Sequence, residues 1–519
     1  MSSNPITTHS CHSCCFSRSC AQRNQAHYNR REFMGTVGAA GITLAAFSSV
    51  ASAQKAELKR VEPMRKTLVV QPVFLYGIPN RHEKTSWRGW GGIHSEQDAE
   101  QERIRINREI ESIKNLAEFP LEFRPLISVQ NPEDAAKISQ QNHDVLLMYP
   151  ASTGGNLLEA LTNPEKFTLI FLRHKSGPVY LWYEIIHNRY LRKTVDQYGQ
   201  PGVHNEDIIV DRLDEVIWRL RALSGLKNTL NKRIICIGGA SGWGHGGQKA
   251  PQLTKDHFKM ELVDVSYEDL GKRIKKYREN SSIVKYCQDE AKKYLSDSDV
   301  SLETDLLFMS NAFLLTEVFH ELMAELETDA ITVNNCMGTI MGVSETTACM
   351  PLSFLNDAGY MAFCESDFVV IPSGVLLHGI SGLPVFLNDP TFPHDNVVTL
   401  AHCTAPRRMN GEDMEPVRIL THFESDWGAA PKVEMKLGET ITVIDPDFDF
   451  KRWLGFKAEI IDNPFLDICR SQIDIQFQCS TDTLNEETRG FHWMACYGDY
   501  TKETGYALKK AGIEWLHLV

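Results

Sequence analysis

The sequence lacks any cluster of basic residues, and its acidic residues outnumber its basic ones. Asp and Glu total 67 against 54 Lys and Arg, which gives a formal net charge of -13 at pH 7. Nucleic-acid binding needs Lys and Arg gathered on one surface, so this composition argues against a nucleic-acid partner. Internal repeats and long low-complexity tracts are missing too, so no repeat array is expected. With 519 residues, 42% hydrophobic and 23% charged, the chain is typical of a soluble globular protein with two or three domains.

A membrane-spanning run and a disulfide framework are also missing from the pattern. The apolar run from Gly35 to Val50 is too short to cross a bilayer. Four of the 13 cysteines lie near the N-terminus, where a Cys-x-x-Cys spacing is not followed by a second ligand pair, so a metal site is a weak interpretation. The other nine cysteines, an odd number, are scattered singly through apparent strands, which favours buried free thiols.

The first 53 residues carry a targeting pattern. Arg30 and Arg31 precede Phe33 and an apolar run rich in Gly and Ala, and Ala51-Ser52-Ala53 closes it. Paired arginines before a mild apolar run, with small residues at its end, resemble a twin-arginine export signal. We expect cleavage before Gln54, periplasmic or exported localisation, and no stable membrane association after cleavage. This route carries proteins that are already folded.

From Lys66 onwards, strand-like and helical segments alternate. The predicted strands are 67–76, 124–129, 144–149 and 167–172, and the predicted helices are 97–116, 132–141, 157–163 and 211–226. Alternation with short connections predicts a doubly wound parallel sheet.

A second unit begins with a strand at Arg233 that leads into a glycine-rich segment, 238–247. The G-x-G-x-x-G spacing is absent and no clear helix follows the glycines. A nucleotide site is therefore the weaker interpretation, and a flexible or substrate-facing loop the stronger one. Helices are predicted at 267–280, 282–295, 302–326 and 350–358, with strands at 329–335 and 360–364.

After about Pro384 the pattern becomes β-rich. Strands are predicted at 432–445, 454–462, 472–478 and 513–518, with a helix at 500–511. The expected fold is α/β, with two doubly wound parallel-sheet domains of Rossmann-like or flavodoxin-like type and a β-rich C-terminal domain. The expected boundaries are 1–53 for the export signal, 54–228 and 229–385 for the two α/β domains, and 386–519 for the β-rich domain.

Carboxylates and imidazoles close several apolar runs. Glu365 and Asp367 follow the strand 360–364, Asp389 follows a Phe-containing run, His402 closes another run, and His492 lies between two aromatic residues. Such groups are costly to bury unpaired, and a divalent metal in a cleft would satisfy all of them. If the strand continues, Glu365 and Asp367 share a face.

Each residue also has an ordinary explanation. Asp367 could cap a helix beside a solvated Glu365, and Asp389 could be a turn residue. His402 and His492, taken alone, could be satisfied core histidines. His422 either lies near the cleft or packs in the β-rich domain.

The segment from about Asp329 to Pro406, together with the stretch from Gly490 to Leu518, resembles the fucose/arabinose isomerase family. The matching features are a strand-end Glu-x-Asp, a later acidic residue, a histidine in the following strand and a histidine near the C-terminus. They fall on Glu365 and Asp367, then Asp389, His402 and His492. The N-terminal part of the chain matches in pattern only.

The resemblance implies a metal-dependent aldose–ketose isomerase that acts on an open-chain sugar through an enediolate. Mn2+ is the family norm, and oxygen and imidazole ligands suit it. Glu365, Asp367, Asp389, His402 and His492 would hold the metal, and Glu365 or Asp367 would move the proton as general base and then acid. Family members form trimers or hexamers, so a homo-oligomer is implied.

Two departures from the family pattern stand out. Asn388-Asp389 occupies the place of a glutamate ligand of arabinose isomerases, and Glu345 is an offset match for a further glutamate of fucose isomerases. Two other classes stay open. An exported sugar-binding protein would depend on aromatic residues such as Trp427, and a nicotinamide-dependent sugar oxidoreductase would use the loop 238–247.

Overall fold

Apolar strands and amphipathic helices alternate along residues 58, 60–192 and 202–519, which the computed structural model describes. The predicted export signal, residues 1–53, lies outside the described residues. Several helices begin at polar caps. For example, Ser95 accepts a hydrogen bond from the Asp98 N–H, and Asn131 accepts one from Asp134 just before a proline.

The first sheet is parallel throughout. Its strands are β1 (Leu68–Leu75), β2 (Leu121–Phe123), β3 (Ile127–Val129), β4 (Val145–Pro150), β5 (Phe167–Leu172) and β6 (Ile208–Val210). The strand order is β2-β1-β4-β5-β6, and β3 also pairs with β1. The α-helices of this part are Glu96–Leu116, Pro132–Ser139, Gly155–Leu161, Leu181–Ile186 and Leu213–Thr229, with a π-helix at His187–Leu191 and a 3-10 turn at Asn205–Asp207. β1 and β4 are buried along almost their whole length, as expected for parallel strands covered on both faces.

The second sheet is also parallel. The next strands are β7 (Arg233–Ile237), β8 (Glu261–Val265), β9 (Val300–Leu302), β10 (Ala330–Val333) and β11 (Met361–Cys364). All except β9 belong to this sheet, in the order β11-β10-β7-β8. The α-helices around it are Ala250–Phe258, Tyr267–Arg278, Ser281–Tyr294, Leu306–Glu325, Met341–Ser344 and Cys349–Asp357, with a 3-10 turn at Gly246–Lys249 and a π-helix at Cys336–Ile340.

The helix Leu306–Glu325 is long and apolar enough to cross a membrane, but 67% of its apolar window is buried inside the protein. Leu315, Phe319 and Met323 pack in the core beneath the second sheet. Leu306–Glu325 is therefore a core helix of the α/β unit.

The C-terminal part forms a mostly antiparallel, barrel-like sheet. The remaining strands are β12 (Phe386–Pro390), β13 (Val397–His402), β14 (Val417–His422), β15 (Trp427–Val433), β16 (Thr440–Asp445), β17 (Arg452–Asp462), β18 (Ser471–Phe477), β19 (Trp493–Tyr497) and β20 (Glu514–His517). The order is β16-β19-β12-β13-β18-β17-β20, and β16 also pairs with β17, which closes the sheet. β20 joins β17 in parallel, while β9, β14 and β15 form a small separate sheet. The helices here are Ile371–Ser381, Thr481–Glu487 and Thr501–Lys510.

The predicted α/β class is confirmed at the level of two parallel sheets followed by a mainly antiparallel one. The domain boundaries stay a prediction. The expectation that no helix follows the glycine-rich segment was wrong, because the helix Ala250–Phe258 follows it. The run predicted as one strand at 432–445 is two strands, β15 and β16, separated by a turn in which Gly438 adopts a positive φ of 81°.

Candidate metal centre

Three neighbouring parallel strands end at one edge of the second sheet, and the residues after them line a cleft of about 560 Å³. The segment 241–244 follows β7, 334–337 follows β10, and Glu365 and Asp367 follow β11. The strand order reverses between β7 and β10, and ligands of open α/β sheets bind at the carboxyl ends of strands at such a point. Asp389 and His402, from the barrel-like sheet, form the facing wall.

The chain turns sharply as it leaves β11. The strand ends at Cys364, and Glu365 and Ser366 adopt positive φ values of 62° and 49°. The expectation that Glu365 and Asp367 share a face of a continuing strand is therefore not met. Two successive non-glycine residues in this region store strain of order 1–3 kcal/mol each, which the surroundings must hold. Here the Ser366 N–H donates to Thr332 Oγ1 at 3.1 Å.

Asp367 is fully engaged by protein groups. Its Oδ1 accepts hydrogen bonds from the backbone N–H groups of Trp243 and Val369, both at 3.0 Å. Its Oδ2 lies 2.7 Å from His492 Nδ1 and accepts a hydrogen bond from that ring nitrogen. Asp367 thus fixes the ring of His492 and leaves the other nitrogen, Nε2, facing the carboxylates of the cleft. A carboxylate behind an imidazole is the usual support for a histidine that binds a metal.

The ring nitrogens and carboxylates then converge. His492 Nε2 lies 3.1 Å from Asp389 Oδ1 and 3.3 Å from Glu365 Oε2. His402 Nε2 lies 3.8 Å from Glu365 Oε1, while its Nδ1 is 3.0 Å from Thr404 Oγ1. One ligand atom from each of Asp389, His402 and His492 lies within 4.8 Å of the others.

His402 Nε2 is buried without a hydrogen-bond partner within the described part of the chain, and in the same part the buried Asp389 Oδ1 and His492 Nε2 make only the ion-pair contacts given above. Orphaned polar atoms of this kind are costly unless something binds them. Oxygen and imidazole-nitrogen donors of opposite walls suit a divalent cation. The residues therefore fit a metal.

The charged groups of the cluster shift one another's pKa values. Burial lowers the pKa of His492, but its contacts with Asp367, Asp389 and Glu365 outweigh burial and raise the value to about 11. Burial raises the pKa of Glu365, but the hydrogen bond from His492 and the charges of both histidines bring it below its usual value. Burial lowers the pKa of His402. The carboxylates around His492 therefore favour its protonated form.

Two further residues of the cleft extend the set. Cys364 was not predicted, although it stands directly before Glu365; its Sγ lies within 4.8 Å of ligand atoms of Glu365 and His402. His422 lies on the cleft wall and is buried, which is the first of its two sequence interpretations. Burial, and then the charge of His402, lower its pKa.

Glu345 does not join the cluster. It pairs with Arg278 at 2.8 Å, its side chain is 58% exposed, and it is not among the described residues that line the cleft. The match to the additional glutamate of fucose isomerases therefore has no structural counterpart here.

The glycine-rich segment forms one wall of the cleft, and its glycines have a packing role. A Cβ placed on Gly242 would lie 2.0 Å from the carbonyl oxygen of Gly247, so the two backbones approach too closely for any side chain. The segment also presents Trp243, which stacks on Phe491 with ring centroids 4.4 Å apart. Trp427, by contrast, packs on Phe308 and does not line the cleft.

No protein-family model matches this chain, and no curated protein matches it.

Proposed function

We propose that the chain is a metal-dependent aldose–ketose isomerase that acts on an open-chain sugar, as the resemblance to the fucose/arabinose isomerase family implies. One observation carries the proposal. Asp389 Oδ1, His402 Nε2 and His492 Nε2 are buried and grouped beside Glu365 at the switch point of a parallel sheet.

The residues that would hold the metal are Glu365, Asp389, His402 and His492. Two carboxylates and two imidazoles suit Mn2+. Asp367 is assigned a positioning role, because both of its oxygens already accept hydrogen bonds from protein donors. The bound metal would supply Lewis-acid polarisation of the sugar carbonyl and the adjacent hydroxyl.

Glu365 is the group that moves the proton. Its lowered pKa keeps it ionised at neutral pH, so a carboxylate oxygen can accept a proton from one sugar carbon and return it to the neighbouring carbon. Asp367 has no free oxygen for this step. The positive φ of Glu365 turns its side chain from the strand end into the cleft.

The cleft favours a sugar without phosphate. The described residues that line it include Glu424 besides the cluster carboxylates, and they include no Lys or Arg. A phosphate group there would lack a cationic partner and would face several acidic groups. Trp243 and Phe491 offer aromatic surface to the part of the substrate beyond the two reacting carbons.

We also propose that the chain has two doubly wound, flavodoxin-like domains followed by a β-rich domain of fucose isomerase type. If β2 and β3 are counted as one edge position beside β1, the first sheet has the flavodoxin-like order 2-1-3-4-5. The order β11-β10-β7-β8 follows the same rule with one strand fewer. Export by the twin-arginine route and assembly into a homo-oligomer complete the proposal; chromatography with light scattering tests the oligomer.

The metal content of the purified protein tests the function. We expect about one Mn2+ or similar ion per chain after reconstitution, and its loss in Glu365→Gln and in His402→Gln. Glu345→Gln is the matched control, because this exposed glutamate pairs with Arg278 and should leave the metal content unchanged. A panel of unphosphorylated aldoses then tests isomerisation.

Absence of metal in the reconstituted wild type would overturn the site. Sugar binding without metal would transfer the assignment to the sugar-binding class, and reduction of a sugar with NADH would transfer it to the oxidoreductase class. Metal binding without turnover of any aldose would keep the centre and reject the isomerase.

A further inference from the structure

The cleft is rich in thiols that the proposed function does not use. All nine described cysteines are free, and five of them line the cleft: Cys336, Cys349, Cys364, Cys403 and Cys469. Buried cysteines usually behave as small apolar residues. Two of these five, Cys336 and Cys364, lie at neighbouring strand ends with their sulfur atoms facing each other.

Cys336 and Cys364 come from the ends of neighbouring strands. β10 pairs with β11 so that Val333 lies opposite Cys364, and Cys336 follows three residues after Val333. Their Sγ atoms are 3.4 Å apart. Sulfur atoms in a disulfide lie about 2.0 Å apart, so joining these two requires a movement of only about 1.4 Å.

The two thiols differ in access. Cys336 is half-buried and lines the cleft, whereas Cys364 is 3% exposed. Cys336 also begins the π-helix Cys336–Ile340, directly after Asn335, which has a positive φ of 50°. A π-helix is a less regular segment than an α-helix, so a small shift of Cys336 does not break a long run of helical hydrogen bonds.

The other three cleft thiols form a separate group. Cys349 and Cys403 pack with Ala430 in a small apolar cluster, with Cys469 against it. The Cys403 Sγ accepts a hydrogen bond from the Arg470 N–H at 3.5 Å. The Cys403 thiol also contacts those of Cys349 and Cys469, so cross-linked peptides from this second group must be distinguished from the Cys336–Cys364 pair.

We propose that Cys336 and Cys364 form a reversible dithiol modification site that closes to a disulfide when a peroxide enters the cleft. The Cys336 thiol is oxidised by hydrogen peroxide to a sulfenic acid, and one water is released. The Cys364 thiol then attacks that sulfur, the S–S bond forms, and a second water leaves. Two thiols are oxidised and one peroxide is reduced to two waters; an excess of a small thiol reverses the modification by exchange.

The modification would change the wall beside Glu365. Cys364 directly precedes Glu365 in the sequence, and Cys336 directly precedes Met337, which also lines the cleft. The disulfide would tie together the segments after β10 and β11, which are otherwise joined at this edge by hydrogen bonds and packing. The chemistry needs neither a bound metal nor a sugar, so its test is independent of the proposed function.

Peptide mapping of the full chain tests the site. The protein is treated with hydrogen peroxide, the remaining thiols are alkylated, and the digest is analysed by mass spectrometry. We expect one cross-linked peptide pair that contains Cys336 and Cys364, lighter than the sum of its parts by two hydrogen atoms, and its disappearance after dithiothreitol. Cys336→Ser should lack the pair and leave Cys364 open to alkylation.

Cys479→Ser is the matched control, because Cys479 is buried and is not among the described residues lining the cleft, and this variant should cross-link like the wild type. The proposal is overturned if Cys336 and Cys364 both stay alkylatable while other thiols are oxidised. It is equally overturned if Cys336 proceeds to a sulfinic acid without cross-linking, or if Cys364 pairs with Cys349, Cys403 or Cys469. Circular dichroism of Cys336→Ser verifies that the variant is folded.

Discussion

At the scale of single residues, Asp367 decides which nitrogen of His492 is available. It accepts a hydrogen bond of 2.7 Å from His492 Nδ1. In the neutral ring the lone pair is therefore on Nε2, the atom near Glu365 and Asp389. The sequence predicted Asp367 as a ligand. The geometry favours a supporting role, and a substitution separates the two.

Asp367→Asn should weaken metal binding by about 10–100-fold, the usual effect of losing the partner of a ligating histidine. The amide can donate to His492 Nδ1, which moves the ring proton to Nε2 and blocks the lone pair. Chelator competition measures the affinity. Glu365→Gln, which removes a direct ligand, is the reference, and an equal loss in both variants would return Asp367 to the ligand set.

Metal binding should release a proton that comes from His492. With its pKa raised to about 11, this ring is protonated in the metal-free protein at pH 7.5 and must lose the proton to bind the metal through Nε2. Apparent affinity should therefore rise with pH in the range below about 11. Titration of Mn2+ into a weakly buffered solution with an indicator dye measures about one proton per metal.

Glu345→Gln is the matched control for this experiment, because it should keep the metal and release the same proton. Burial lowers the pKa of His402, so its ring is neutral before the metal arrives and contributes no proton. Any metal that His492→Gln still binds should release no proton. Proton release that survives in His492→Gln would assign the proton elsewhere.

At the scale of elements, the loop after β7 holds the end of β11. The Ser241 N–H donates to the Ser366 carbonyl at 3.2 Å, the Phe368 N–H returns a bond to Ser241 at 3.0 Å, and the Trp243 N–H reaches Asp367. The loop can do this because Gly242 and Gly247 pack backbone against backbone. The glycines of the loop thus permit the close contact between its two backbone segments.

Gly242→Ala should therefore open the loop and disturb the metal centre at a distance. The added methyl would lie 2.0 Å from the Gly247 carbonyl oxygen, and relief of such overpacking costs about 1–3 kcal/mol. We expect lower stability in urea and weaker metal binding together. Gly342→Ala, in a helix with open space around the new methyl, is the control; a normal metal affinity in Gly242→Ala would contradict the role given to the loop.

Elements with a clear period were predictable, and those without one were not. β5 was predicted to the residue, at Phe167–Leu172, because its apolar run is bounded by polar residues. The helix Ile371–Ser381 was missed because nearly all its residues are buried, so it shows no polar face and no helical period. The short helix Ala250–Phe258 was not predicted, because the glycines before it indicate a loop.

At the scale of the whole molecule, the candidate centre joins two sheets that the sequence predicts as separate. Glu365 and Asp367 follow the second parallel sheet, while Asp389, His402 and His492 belong to the barrel-like sheet or its edge. A ligand shared between them binds the folded protein and has no comparable site in the unfolded chain. Metal binding should thus stabilise the protein as a unit.

Mn2+ at 100 times its dissociation constant should raise the free energy of unfolding by about 2.7 kcal/mol. Differential scanning fluorimetry with and without metal measures the corresponding rise in Tm. Glu345→Gln should respond as the wild type does, and His402→Gln should respond much less. A rise of equal size in every variant would indicate metal bound elsewhere on this acidic protein.

The sequence by itself determined the class of fold and the candidate residues, because hydrophobic period and the cost of burying carboxylates and imidazoles are local properties of the chain. It could not determine which of those residues meet. Asp367 and His492 are 125 positions apart, and only the packing of the barrel-like sheet against the parallel sheet brings them to 2.7 Å. Nor could it separate ligand from support, or show that Cys336 faces Cys364, since those distinctions depend on distances of a few ångströms that the fold alone sets.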